Sequence, residues 1–165
     1  INGVEMMSNS NHIDHVIVLN KDFDGACSLY ERLGFQLTPL SHHPMGTGNQ
    51  LIVFEYNFLE LLGVTAPQNM TELSKKIVYD FLKEREGVSA LAFSTENADE
   101  SAEQLRARGI ENTSTISFER TTSLPDGDET QAVGDVVFVP EPNTPLFFTF
   151  YCHQHNKGAV LVPQW

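Results

Sequence analysis

The sequence predicts an α+β protein made of two tandem β-α-β-β-β modules. Three observations carry that prediction. Short β-branched apolar runs lead into short, capped helical stripes. Three further strand-like runs follow each helix. The cap, the stripe and the terminating glycine recur at an offset of 75 residues, as from Asp22 to Asn97. Repetition at a fixed offset marks paired units, each too small to cover its own sheet.

The elements follow in order. "IDHVIVL", Ile13 to Leu19, is apolar and β-branched, as a buried strand requires. Asp22 then offers an N-cap oxygen. Phe23, Ala26, Tyr30 and Leu33 fall at helical spacing, and Gly34 supplies the stop. "FQLTP" is expected as a short strand ended by Pro39, "SHHPMGTGN" as a loop, and "QLIVFEY" and "NFLELLGV" as two strands with Asn57 near their turn. Thr71 to Glu86 places Leu73, Ile77 and Phe81, with Val78 and Leu82, on one stripe and ends at Gly87. It is expected as a linking helix.

"VSALAFST" opens the second module, Asn97 caps a helix, and Ala98, Ala102 and Leu105 form its buried stripe before Gly109. "STISFER", "TQAVGDVVFVPE" and "PLFFTFYCH" complete it as strands, with "LPDGDE" as a turn. Its lone Asp-Gly-Asp lacks the other ligands of a calcium loop. Superposing the halves sets Phe23 on Ala98, Tyr30 on Leu105, Gly34 on Gly109, Phe35 on Ile110 and His15 on Ala90. The expected division is a flexible leader at 1–11, the first module at 12–66, the linking helix at 67–87, the second module at 88–153 and a C-terminal extension at 154–165. All of it forms one domain.

Composition narrows the partners. A chain of 165 residues folds as one domain or two small modules sharing a core, hiding roughly two-thirds of its unfolded surface. With 22 acidic against 10 basic residues its formal charge is −12, which repels nucleic acid and anionic membrane surfaces. No apolar run is long enough to span a bilayer. The two cysteines, Cys27 and Cys152, fit neither a metal knuckle nor a disulfide framework; they read as buried hydrophobes in a reducing, cytoplasmic setting. "KGAVLVPQW" ends on apolar residues, so the expectation is either a docked terminal segment or a chain continuing past Trp165.

A paired module with "IDHVIVL" at its start, "YERLGF" at its helix end and "FLELLGV" as its fourth strand resembles the vicinal oxygen chelate superfamily, which includes glyoxalase I, bleomycin-resistance proteins and extradiol dioxygenases. "HHPMGTGNQLIVFEYNFLELLGV" is similar to its glyoxalase-like domain subgroup. The resemblance covers residues 12 to 153 and is clearer in the first module. It implies that each module's sheet curls to form half of a cleft around a small molecule, with residues of the first and fourth strands holding a divalent ion where one is bound. It also makes a homodimer an expectation.

On that pattern His15 takes the first-strand ligand position and Glu60 the fourth-strand one, with Glu60 also the candidate catalytic group. Ionisable groups in apolar strands need a partner or an ion. The second module has Ala90 and Phe150 at the matching places, so half of a four-ligand shell is missing. A third ligand could come from His42, His43, His153 or His155. Three readings stay open: a divalent ion (Ni, Zn, Fe or Mn) on His15, Glu60 and a further group; His15 and Glu60 bonded to each other or to water in a metal-free pocket; or an acid–base or ligand-contacting role without metal. Thr47, Asn49 and Phe150 are the candidate ligand-binding residues, the first two as a polar rim and the last as an aromatic wall. The expected function is a metal-dependent lyase or isomerase acting on an oxygen-rich small molecule. The alternatives are a metal-free binding protein of the bleomycin-resistance type and, ranked last because Ala90 removes a histidine, an extradiol dioxygenase.

Overall fold

A computed structural model describes residues 12–140, 144 and 146–165. The expected leader, Ile1 to Asn11, lies outside the described residues, as does the side chain of Leu73. The first module runs β1 (Ile13–Leu19), α1 (Phe23–Arg32), β2 (Ser41–His42), β3 (Thr47–Val53) and β4 (Phe58–Val64). After α2 (Glu72–Glu84) the second runs β5 (Gly87–Ser94), α3 (Ala98–Ala107), β6 (Ile116–Ser123), β7 (Glu129–Val139) and β8 (Phe148–Gln154).

The eight strands form one mixed sheet ordered β2-β3-β4-β1-β5-β8-β7-β6, so each module contributes the same strand order, mirrored about the central antiparallel pair β1–β5. Within each module the first and last strands are parallel: His15 pairs with Phe58, and Ala90 with Phe148. The register therefore makes Glu60 and Phe150 equivalent positions, just as it makes His15 and Ala90 equivalent. The sheet curls until its two edges approach and form a nearly closed barrel. There the Ser41 hydroxyl donates to the Thr121 carbonyl at 2.8 Å and accepts from Arg120 at 3.1 Å.

The helices lie outside this barrel and begin at side-chain caps. Asp22 accepts from the Gly25 N–H, Thr71 from that of Ser74 and Asn97 from that of Glu100. Phe23 and Cys27 of α1 bury against Val18, Ile52 and Leu61. Gly63 lets that helix come close, since a Cβ there would sit 2.5 Å from Cβ of Phe23. Ala98, Ala102 and Leu105 of α3 pack on Val137, as the repeat predicts. Among the described residues no helix is long and apolar enough to cross a membrane.

Three local expectations need correction. "FQLTP" forms no strand: Pro39 has no N–H for a ladder, and the segment is held instead by Thr38, whose N–H donates to the Leu51 carbonyl and whose hydroxyl accepts from the Leu51 N–H, both at 2.9 Å. The second strand is only Ser41–His42. Leu33 stands past the end of α1 as its C-cap and is exposed, so that stripe runs through Cys27 instead. Ile77 is likewise exposed, while Val78, Phe81 and Leu82 form the face of α2 that packs on Leu19 and Met70. "LPDGDE" is a turn, with Gly127 at φ +91°.

Beyond β8 the chain turns at Asn156, and Ala159 and Val160 pack on Leu51, Phe58 and Ala132. Ladder partners share a face, so Leu51 opposite Glu60 and Ala132 opposite Arg120 both point inward. The C-terminal segment thus seats on the barrel's interior wall.

Candidate functional site

The site begins with an irregularity in β1. Its pairing to β5 steps from Ile13–Phe93 to His15–Ala92, which leaves Asp14 without a ladder partner in a β-bulge. Neighbours on a regular strand point to opposite faces; the bulge lets two adjacent side chains meet. His15 Nδ1 lies 2.6 Å from Asp14 Oδ1, and Gln154 Nε2 donates to the same oxygen at 2.6 Å. A carboxylate only accepts, so His15 carries a proton on Nδ1 and turns Nε2 toward Glu60, whose Oε2 is 3.7 Å away. The ring stacks on Phe58 at 4.5 Å, and Phe150 meets it edge-on at 5.4 Å.

Glu60 is buried and gathers its partners from three elements. Asn49 of β3 donates to Oε1 at 2.6 Å, and His43 Nε2 stands 3.9 Å from the same oxygen. Asn49 Nδ2 also reaches His43 Nε2 at 3.2 Å, so that nitrogen accepts and Nδ1 donates to the Thr47 hydroxyl at 2.8 Å. The turn before β3 thereby fixes both the place and the tautomer of His43. Burial pushes the Glu60 carboxyl up, but His15, His43, the Asn49 hydrogen bond and Arg120 outweigh it and hold it below its ordinary value. Burial, with Arg120 and His42, holds His43 below its ordinary value against the pull of Glu60. Burial chiefly pushes the Cys27 thiol up to about 11 and raises Cys152 further, so both stay thiols and pack as small hydrophobes.

Asn49 Oδ1 and Gln154 Oε1 are buried acceptors with no donor among the described residues. Such atoms mark the place of a water, an ion or a ligand donor. A groove of about 580 Å³ opens between β2 and β6–β7, lined by Leu40, Ser41, His42, Arg120 and Gln131 among others. Arg120 is common to the groove and to the field of Glu60.

The expected residues His15, Glu60, Thr47, Asn49 and Phe150 therefore meet in one buried cluster, and His43 joins them. His42 turns away to the Thr65 hydroxyl at 3.1 Å. His153 belongs to β8 itself and points to the face opposite Phe150 and Cys152; His155 pairs with Asp135 at 2.7 Å, away from Glu60. The sequence reading did not single out Asp14, Arg120 or Gln154. Asp14 carried the one usable signal, a second ionisable residue inside an apolar strand.

These shifts set a pH dependence. His43 and Glu60 bind protons more weakly folded than unfolded, so their contribution to stability is complete above the ordinary values and is lost as pH falls. In chelator-treated protein the urea midpoint is expected to fall from just below pH 6.5, the ordinary value for His43, and more steeply below 4.5, that of Glu60. His43→Gln should flatten the upper part and, by removing one of the groups that hold Glu60 down, soften the lower part as well; an unchanged upper part would show that His43 does not titrate across the transition.

A family model described as a glyoxalase-like domain matches residues 13–161. No curated protein matches the sequence. Among solved structures, a hypothetical protein from Staphylococcus aureus has a TM-score of 0.65 at 17% identity, over 87% of this chain and 58% of that one, so the present chain spans little more than half of that protein's length. Methylmalonyl-CoA epimerase from Streptomyces coelicolor, in complex with 2-nitronate-propionyl-CoA, has a TM-score of 0.60 at 18% identity over 88% and 97% of the two chains. The Mycobacterium tuberculosis methylmalonyl-CoA epimerase gives 0.60 at 18% over 90% and 92%. At these identities the likeness is one of fold.

Proposed function

Proceeding from the chain's membership of the glyoxalase-like domain family, we propose that the barrel interior takes a small, oxygen-rich acid and moves a proton on it, as an isomerase or lyase assisted by a divalent ion on His15, Glu60 and a further donor. Members of this family often bind divalent metals, and the neighbours named as epimerases are isomerases. The observation that carries the reading is the approach of His15 Nε2 and Glu60 Oε2 at 3.7 Å. That separation is too long for a hydrogen bond and within the span of two ligands of one ion. With Nδ1 already donating to Asp14, two acceptors face each other unless a proton or a cation lies between them. A carboxylate behind a histidine is also the usual support of a metal-bound imidazole.

An ion held there would polarise a substrate oxygen. The chain's own groups would do the rest. Arg120, which lines the groove and lies in the field of Glu60, would anchor the acid. Glu60, held below its ordinary value, suits ligation better than proton abstraction. His43 is kept neutral and turns Nε2 inward, so it is the better acceptor for the substrate proton. A second reading, metal-free binding of the bleomycin-resistance type, draws support from Asn49 and Arg120, which already offset part of the Glu60 charge.

The test is elemental mass spectrometry on untagged protein dialysed against nickel, zinc, iron or manganese. The expected result is that one ion per chain is lost on going from the native protein to His15→Ala or Glu60→Ala and is retained in His155→Asn, over and above any ion bound elsewhere on the chain. No ion sensitive to His15 would sink the metal-assisted reading and leave the metal-free one.

A further inference from the structure

We propose that Asp135, His153 and His155 form a second divalent-metal site, on the outer face of β7 and β8, using no residue of the His15–Glu60 cluster. The ladder sets Asp135 directly opposite His153, so the two side chains leave the sheet on one face. His155 follows two residues later, where β8 turns. Its place is fixed by main-chain bonding: the His155 N–H donates to the Val133 carbonyl at 2.9 Å, and the Asn156 side chain bonds both the Val133 N–H and the Gln131 carbonyl. Candidate ligand atoms of the three residues all lie within 4.8 Å of one another, and no other group of this kind occurs among the described residues.

The surroundings suit a cation. The Ser117 hydroxyl donates to Asp135 Oδ1 at 2.6 Å, which orients the carboxylate and leaves Oδ2 toward His155 Nε2 at 2.7 Å. That hydrogen bond alone gives no role to His153, whose ring lies 4.6 Å from that of His155 at 64°. Two imidazoles and one carboxylate select zinc, cobalt or nickel over magnesium and calcium, which prefer oxygen alone. Asp135 and His153 are half-buried and His155 is exposed, so an ion reaches the site from solvent without any rearrangement of the barrel. The net charge of −12 favours its approach. Three protein ligands leave coordination positions for water or an outside donor.

The test is titration of untagged full-length chain with Co2+, followed by its visible d–d absorption, and with Zn2+ by calorimetry. Asp135→Asn, His153→Ala, His155→Asn and His15→Ala are measured beside the native protein. Binding should survive His15→Ala and weaken at least about tenfold in each of the other three, with excess Mg2+ failing to compete. A native stoichiometry of two, falling to one in either set of variants, would support both sites. A single ion sensitive only to the outer variants would support this site and remove the inner one. The proposal is overturned if all metal binding disappears in His15→Ala, or if the three outer variants bind like the native chain; chelator-treated thermal midpoints confirm that each variant is folded.

Discussion

His15→Ala is expected to cost chelator-treated protein about 2 to 5 kcal/mol of unfolding free energy at neutral pH, the range for truncating a large buried side chain and leaving its hydrogen-bond partner short of a donor. Glu60 would keep Asn49, His43 and Arg120 but lose the group whose field does most to offset its burial. The stack on Phe58 and one of the two donors to Asp14 would go as well. If the loss comes from stranding Glu60, removing that carboxylate must relieve it. The double variant His15→Ala with Glu60→Leu is therefore expected to be about 1 to 3 kcal/mol more stable than the sum of the single changes. Urea unfolding of the four proteins closes the cycle. Additive losses would mean that the two side chains do not interact across their 3.7 Å gap, and the site would lose its central pair.

The fold was legible where its signals were local. Asp22 and Asn97 announce helix starts by residue type alone, and the structure finds both as caps. Gly34 and Gly109 end their helices at φ +96° and +74°, a conformation that favours glycine. The repeat was legible for the same reason, being made of those local signals twice. "FQLTP" was misread because that stretch meets β3 only through Thr38 and Leu51, too little for a ladder, and that pairing is set by the tertiary fold. Ile77 was misread because Ile77 and Val78 flank the same helical stripe, and only the tertiary packing of α2 decides which faces the barrel.

The site divides along the same line. His15 and Glu60 stand out in sequence because an ionisable residue inside an apolar strand needs a reason. Asp14 did not, since strict alternation assigns it to the other face. The bulge that turns it toward His15 is a property of the β1–β5 pair, not of β1. Arg120 reaches Glu60 only because the sheet edges come together at Ser41 and Thr121, a closure with no local signature. Likewise, Asp135 and His153 are 18 positions apart and become neighbours only through strand register.

Gly46→Ala is expected to be the most damaging change in the first module that removes no side chain, at roughly 3 kcal/mol or more. Gly46 holds φ +87°, where an L side chain costs about 1–2 kcal/mol. A Cβ there would also sit 2.5 Å from the Ala66 carbonyl oxygen and 2.9 Å from the Met70 nitrogen, both main-chain atoms that cannot rotate away. The same glycine ties the turn together: its N–H donates to the His43 carbonyl at 3.1 Å, and its carbonyl accepts from Thr65 and Ala66. Gly34→Ala separates the two causes, because Gly34 has φ +96° with nothing within 4 Å of an added Cβ. It should show the conformational cost alone, about 1–2 kcal/mol. The excess at Gly46 then measures the contact with the chain around Ala66. Because that turn positions His43 and Thr47, Gly46→Ala should weaken metal retention at His15–Glu60 while leaving binding at Asp135, His153 and His155 intact. Equal losses for the two glycine variants would show that the β3 turn yields to a methyl group, and that the placement of His43 does not depend on it.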